Sequence, residues 1–408
     1  GGGGQTDGNT QLDQDVLDNN GGYNFTVNAG PNAGTVTIGD NSDDANGDTL
    51  GDLIDIDGTV SLTAAGGITG NAPGGDLTIT SSDIVLNNAI DAAGTLSFYT
   101  HNNTTPMEIG FDSGGGNWSL TDGEVTSLNG GAIGTLVFGN DGSQSGQITF
   151  TTADLSGTGA VPLQVYSNNG AGTIYFNDED ASSALVTAGD VDLEAGTGGI
   201  QAENFSYGAG PSAEAEIETT GVIDLSSADA IGADQPSDPD PGPGNGPIQI
   251  LAGHSEVNVL NAPGGAYLEG IGADIIVGQI SGTVGDVVLT VFQAGFIRLT
   301  ENVTTTGQNI VFGRPVRIDE AGLTVSTGAG SGGSITFQST LDSQNGENND
   351  LTLEAGSGSI SFTGVVGQDA SGLGIADPRL GPLTVSGAGD VTFNDRVETG
   401  AGANLDLT

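Results

Sequence analysis

The sequence predicts an all-β chain coiled as a solenoid. Three observations carry this: a glycine-rich composition, strand-like triplets at a regular spacing, and almost no helical periodicity. Glycine supplies 73 of 408 residues, while hydrophobic residues reach only 35%. No three-residue glycine period runs through the chain, which excludes collagen. So much glycine suits many tight turns, because glycine alone enters left-handed backbone conformations without a steric cost. Disorder is the rival for a polar, acidic chain. Regular clusters of β-branched and aromatic residues argue against it over most of the length.

The triplets are clearest in the last third. Leu323-Thr324-Val325 leads to Ile335-Thr336-Phe337, then Leu341; Leu351-Thr352-Leu353 leads to Ile360-Ser361-Phe362, then Val366; Leu383-Thr384-Val385 leads to Val391-Thr392-Phe393, then Val397. The last apolar residue always falls four places after the Phe. Looser copies come earlier: Leu77-Thr78-Ile79 with Ile84-Val85-Leu86 and Ile90, Leu163-Gln164-Val165 with Ile174-Tyr175-Phe176, and Val191-Asp192-Leu193 with Ile200. In a strand the outer residues of a triplet share one face and the middle residue takes the other. One such strand buries too little to be stable, so the apolar faces of successive copies must stack. A spacing of roughly 28 to 32 residues suits one three-stranded coil, and about 14 to 17 coils would make a rod on the order of 70–80 Å long. Tandem immunoglobulin-like domains need a longer repeat and a larger core.

Two segments interrupt the pattern. Residues 1–22 are polar and rich in Gly, Asn and Asp, and read as a linker or cap. Residues 234–247, DQPSDPDPGPGNGP, are rich in proline, which cannot donate to a sheet ladder. They read as a loop between an N-terminal solenoid part, 23–233, and a C-terminal part, 248–408, because the strand pattern resumes at Ile248. The last residues, Asn404-Leu405-Asp406-Leu407-Thr408, keep the alternation of an internal strand, so the solenoid is expected to continue. Tyr23, Phe25 and Val27 at one end, and Leu405 and Leu407 at the other, are therefore candidate assembly positions.

The repeats LTVSTGAGSGGSITFQSTLD, LTLEAGSGSISFTGVVG and LTVSGAGDVTFNDRVETGAG resemble those of filamentous-haemagglutinin-like adhesins and related giant β-strand-repeat surface proteins. The likeness covers about two thirds of the chain by its repeat pattern. It implies a right-handed parallel β-helix, export to the cell surface, and a role in adhesion or fibre building. The Asn-Pro-Asn-Gly-type secretion signature of that family's N-terminal domain is not in this sequence.

Charge narrows the partners. Acidic residues number 52 against five basic ones, a net charge of −47, and all five are arginines: Arg298, Arg314, Arg317, Arg379 and Arg396. Such a surface repels phosphate backbones and anionic headgroups, which excludes nucleic acid. It attracts cations. No apolar run approaches a membrane span, so membrane insertion is not expected. Cysteine is absent, which excludes disulfides and thiolate metal sites. The expected partners are further copies or repeats of the same chain, end to end, together with surface glycans.

Ca2+ is the one cofactor the sequence offers. Asp44, Asn46, Asp48, Leu50 (through its carbonyl), Asp52 and Asp55 have the oxygen-ligand spacing of a calcium loop. Thr49 stands where helical-hand loops need Gly, and Asp55 replaces their bidentate Glu. No catalytic set stands out. A lyase needs a Lys or Arg base, and the chain has no Lys; a glycosidase needs one defined carboxylate pair among many carboxylates. His101 and His254 lie in separate contexts. The chain is read as non-catalytic, with a polysaccharide-acting β-helix enzyme and a calcium-dependent carbohydrate-binding module as the alternatives. Trp118, in SGGGNWSLT, is the candidate for stacking on a sugar face.

Overall fold

The computed structural model describes residues 76–407 apart from 88, 115, 129–131, 178–182, 203–214, 234–245, 253–255, 273, 293, 331, 345–346, 368–378 and 400–403. Before residue 76 it describes the backbone of the strands at 10–12, 25–28, 36–38, 52–63 and 68–70. The chain divides into two compact units, Gly1–Gly198 and Gly199–Thr408. Both are built almost wholly from parallel strands in stacked sheets.

In the second unit the chain visits three strand positions in turn, and each visit pairs in register with the one before. One row runs Leu268, Leu289, Phe312, Phe337, Phe362 and Phe393. A second runs Leu225, Val259, Ile280, Val303, Val325, Leu353, Val385 and Leu407. The third runs Ile275, Ile297, Val316, Leu341, Val366 and Val397. The triplets of the sequence are these strands, and the residue four places after each Phe occupies the third row. Inward positions such as Phe312, Phe337, Phe362, Val325 and Leu353 are fully buried, while the intervening Thr and Ser are half-exposed. Parallel stacking places like on like, so Phe312, Phe337, Phe362 and Phe393 form a column with centroid spacings of 4.7, 5.1 and 4.7 Å. Offset-stacked rings at this spacing add to the gain from burial.

The repeat is more variable than the triplets suggest. Ile310, Ile335 and Ile360 pair at intervals of 25 residues, but Ile297 and Val316 are only 19 apart. Shorter intervals come from tighter connections, since the paired strands keep their register.

The first unit follows the same rule with larger excursions. Leu77, Leu96, Leu136, Leu163 and Val191 form one row, and Ile79, Phe98, Phe138, Val165 and Leu193 another two residues along. A second sheet orders Trp118–Thr121, Met107–Gly110, Ile148–Thr151 and Thr173–Asn177. Among the described residues of this unit lies a seven-residue helix, Asp122–Leu128, which the strand reading did not anticipate. It has a local cause. The Glu124 carboxylate accepts from both the N–H and the hydroxyl of Thr121, the reach-back half of a capping box, and Val125 and Leu128 are buried.

Thr10–Leu12 lies within the segment read as a linker, yet it pairs in parallel with Val36–Ile38, because Thr-Gln-Leu carries the same alternation as the later strands. The division between units falls at Gly198 and Gly199. Ile217, before the proline-rich segment, pairs with Ile250 after it, and the Ala233 N–H donates to the Gly246 carbonyl at 2.8 Å.

Glycine has a positional role at the turns. Gly333, Gly358 and Gly389 each stand two residues before the first inward residue of a strand in the Phe-bearing sheet. A side chain at Gly333 or Gly358 would overlap the main-chain carbonyl of Gln308 or Gly333, one turn back. Gly146 meets the same obstacle in the first unit, against Thr105.

Candidate functional site

The calcium loop proposed from Asp44, Asn46, Asp48 and Leu50 lies outside the described residues. Asp52 and Asp55 fall in the strand Asp52–Thr63, in register with Leu77 and Thr80. Among the described residues, no three or more His, Cys, Asp or Glu side chains gather as a metal group. No described helix is long and apolar enough to cross a membrane.

Trp118 is not available to a sugar. It opens the strand Trp118–Thr121 in register with Met107, which turns its indole inward, and it is fully buried. The ring lies 5.6 Å from Phe98, and its N–H donates to Ser81 Oγ at 3.0 Å. Before it, in the connection from the strand Met107–Gly110, Gly114 and Gly116 are exposed and adopt φ +71° and +79°. A buried Trp needs a partner for its N–H, and Ser81 supplies it.

Of the assembly positions, Tyr23 lies outside the described residues. Phe25 and Val27 belong to the strand Phe25–Asn28, paired with Val60 and Leu62. Leu405 and Leu407 form the strand Leu405–Leu407, which pairs with Leu383–Val385 on one side. They occupy the positions that Leu383 and Val385 fill one turn earlier, where both side chains are buried. Leu405 and Leu407 are 40% and 54% exposed.

Two of the five arginines meet in the second unit. Arg298 and Arg317 are direct neighbours in the ladder, and Asp342 follows in the same outward column. Two guanidinium groups side by side would repel, and each is held separately. Arg298 donates from Nε to Asp319 Oδ2 at 2.6 Å, and its Nη2 pairs with the same oxygen. Arg317 lies over the Phe296 ring, 3.4 Å from its centroid. Arg314 donates from Nε to the Val291 carbonyl at 2.9 Å. Burial holds the Asp319 carboxyl above its usual range, with Arg298 pulling the other way. These contacts tie one turn to the next: Arg298 reaches the residue just after the following strand. The sequence listed both arginines, but their separation along it gives no sign that they converge.

In the first unit, Asn168 bridges two acids, donating to Asp141 Oδ1 at 2.8 Å and Glu194 Oε2 at 2.9 Å. Tyr166 lies in this acidic neighbourhood, and burial together with Asp192, Glu194 and Asp141 pushes its hydroxyl up to about 12. His101 is half-buried in the turn after the strand Ile90–Thr100, and His254 lies outside the described residues.

Comparison of the chain with protein-family profiles, with curated proteins and with solved structures gave no match. Its architecture and its surface chemistry are therefore the ground for a functional reading.

Proposed function

We propose that this chain is a shaft segment of an extracellular cell-surface protein: a right-handed parallel β-helix used as the stalk of an adhesin or as a repeating unit of a surface fibre, without a catalytic role. The observation that supports this is the unbroken apolar row from Leu225 to Leu407, in which every turn is stabilised by the turn before and after it. Such a stack does its work by length. The strand Leu405–Leu407 offers a row of main-chain donors and acceptors with two apolar side chains beside it, which fits addition of one further strand. Its partner in this reading is another turn of the same kind, from the same polypeptide or from another copy. The acidic flanks oppose side-by-side clumping at low salt and leave axial stacking open. Surface glycans remain the proposed outer partners, and Ca2+ the proposed counter-ion.

The arginine cluster is the feature that a polysaccharide-acting enzyme would use. Arg298 is committed to Asp319 and Arg317 to Phe296, an arrangement better suited to fastening turns than to abstracting a proton.

Electron microscopy of the purified chain tests the shaft reading. Filaments that shorten when Leu405 is replaced by Pro are the expected result for stacking between copies. Isolated particles, together with a longer chain in which the Leu405–Leu407 amides exchange as fast as those of a free edge, would overturn it.

A further inference from the structure

Asn168 and Asn169 are neighbours in the sequence and are held in opposite ways. The Asn168 carboxamide is pinned: Nδ2 donates to Asp141 Oδ1 and Glu194 Oε2, and Oδ1 accepts the Gly142 N–H at 2.8 Å. The next main-chain N–H, that of Asn169, donates to the Gln144 carbonyl at 3.0 Å. Asn169 itself is exposed and opens a tight turn, closed by the Gly172 N–H on the Asn169 carbonyl at 3.0 Å. Gly170 takes the first central position of that turn with φ +55°, where the N–H points away from the closing bond. Among the described residues this N–H has no hydrogen-bond partner, and a side chain at Gly170 would meet no atom within 4 Å.

We propose that Asn169–Gly170 is a site of spontaneous succinimide formation, at which the asparagine is converted to isoaspartate. The Gly170 nitrogen attacks Asn169 Cγ, the bond from Cγ to the side-chain nitrogen breaks, and ammonia leaves with the proton that Gly170 gives up. Water then opens the ring. Attack at the main-chain carbonyl gives isoaspartate, whose main chain runs through the former side chain, and attack at Cγ gives aspartate. Either route exchanges an amide for a carboxylate and adds one negative charge. Glycine favours the closure because it has no side chain to obstruct the ring. Asn168 is protected twice, by its pinned carboxamide and by the bonded N–H that would have to attack it. Two junctions between turns meet at the reacting peptide. Asn169 Nδ2 donates to the Ser143 carbonyl at 3.1 Å, and the Gly170 carbonyl accepts from the Thr197 N–H and hydroxyl at 2.8 and 3.0 Å. Conversion puts an anion in place of the donor to Ser143 and displaces the acceptor for Thr197 by one added methylene, so ageing at one residue loosens the stack on both sides. The site does not depend on the shaft reading.

The test incubates the whole chain in warm, mildly alkaline buffer and follows isoaspartate by enzymatic methylation. Chymotryptic cleavage after Tyr166 and Tyr175 releases the peptide Ser167–Tyr175, in which electron-transfer fragmentation tells the two asparagines apart. The expected product is isoaspartate at residue 169 and not at residue 168, formed at a rate proportional to hydroxide. That rate should lie within about tenfold of the rate in the same peptide free in solution, because an exposed turn needs little opening. The Thr197 amide should exchange faster in the aged chain than in the fresh one, and N169Q should leave this peptide unlabelled. Three outcomes overturn the proposal. They are equal conversion at Asn168, conversion at Asn169 no faster than at the exposed Asn302, which Val303 follows, and a converted chain whose Thr197 amide is as protected as before.

Discussion

Phe337 and Phe362 lie face to face across one strand spacing, with ring centroids 5.1 Å apart and ring planes 4° apart. Both are fully buried, whereas Ser361, next to Phe362, points outward and is half-exposed. Phe362→Asp buries an unpaired charge inside the column and should cost more than about 4 kcal/mol. Ser361→Asp should stay within about 0.5 kcal/mol. Urea denaturation of the two variants checks this, and equal tolerance would contradict the facing of the strand.

The corner glycines give a second test. Gly358→Ala forces a methyl group into the carbonyl of Gly333, main chain against main chain, and should destabilise by about 1–3 kcal/mol. Gly330→Ala meets no atom within 4 Å and should be neutral or slightly stabilising. If the two melt alike, the close approach at the corner has more slack than its geometry implies.

Arg298→Ala strips Asp319 of its ionic partner and should cost about 3 kcal/mol or more at neutral pH. The sign with pH follows from burial. The Asp319 carboxyl is raised, so the native chain holds that proton more tightly than the unfolded chain does. Its contribution to stability therefore grows as pH falls toward the ordinary carboxylate range, and is lost as pH rises through the native value. Without Arg298 the window widens, so the variant should recover part of its loss in mild acid, and R298A/D319N should recover at neutral pH. A loss equal at both pH values would assign the effect to the packing of the Arg298 stem.

Tyr166 makes the opposite end of the pH scale informative. Its hydroxyl is raised from 10.0 to about 12, so between these values the unfolded chain ionises first and stability falls. Tyr166→Phe should flatten that decline and remove a late-titrating tyrosinate from the ultraviolet absorbance. A decline unchanged in Tyr166→Phe would place its origin in another group.

The strand rows were legible because parallel stacking leaves a direct trace: Leu-Thr-Val, Ile-Thr-Phe and a residue four places on must recur whenever like stacks on like. The inward turn of Trp118 was not, since its facing is set by register with Met107 and not by its Gly-rich approach. The helix at Asp122–Leu128 had a signal, Thr121 followed three residues on by Glu124, too short to stand out among strands. Burial of Glu216 and Glu269 left no trace either, because alternation assigns a face, whereas burial on the outward face depends on what overlies it. The arginine cluster depends on turn length, which the variable connections conceal.

Ile310, Ile335 and Ile360 hold equivalent places at equal intervals of 25 residues, each followed two residues later by a stacked Phe. A cut before Ile335 and another before Ile360 would release a cassette whose removal sets Ile360 on Ile310 and Phe362 on Phe312, contacts of the same kind as those lost. Recombination between such points would leave no mismatched seam, so a gene of this design can lengthen or shorten by whole turns while each protein it encodes still folds.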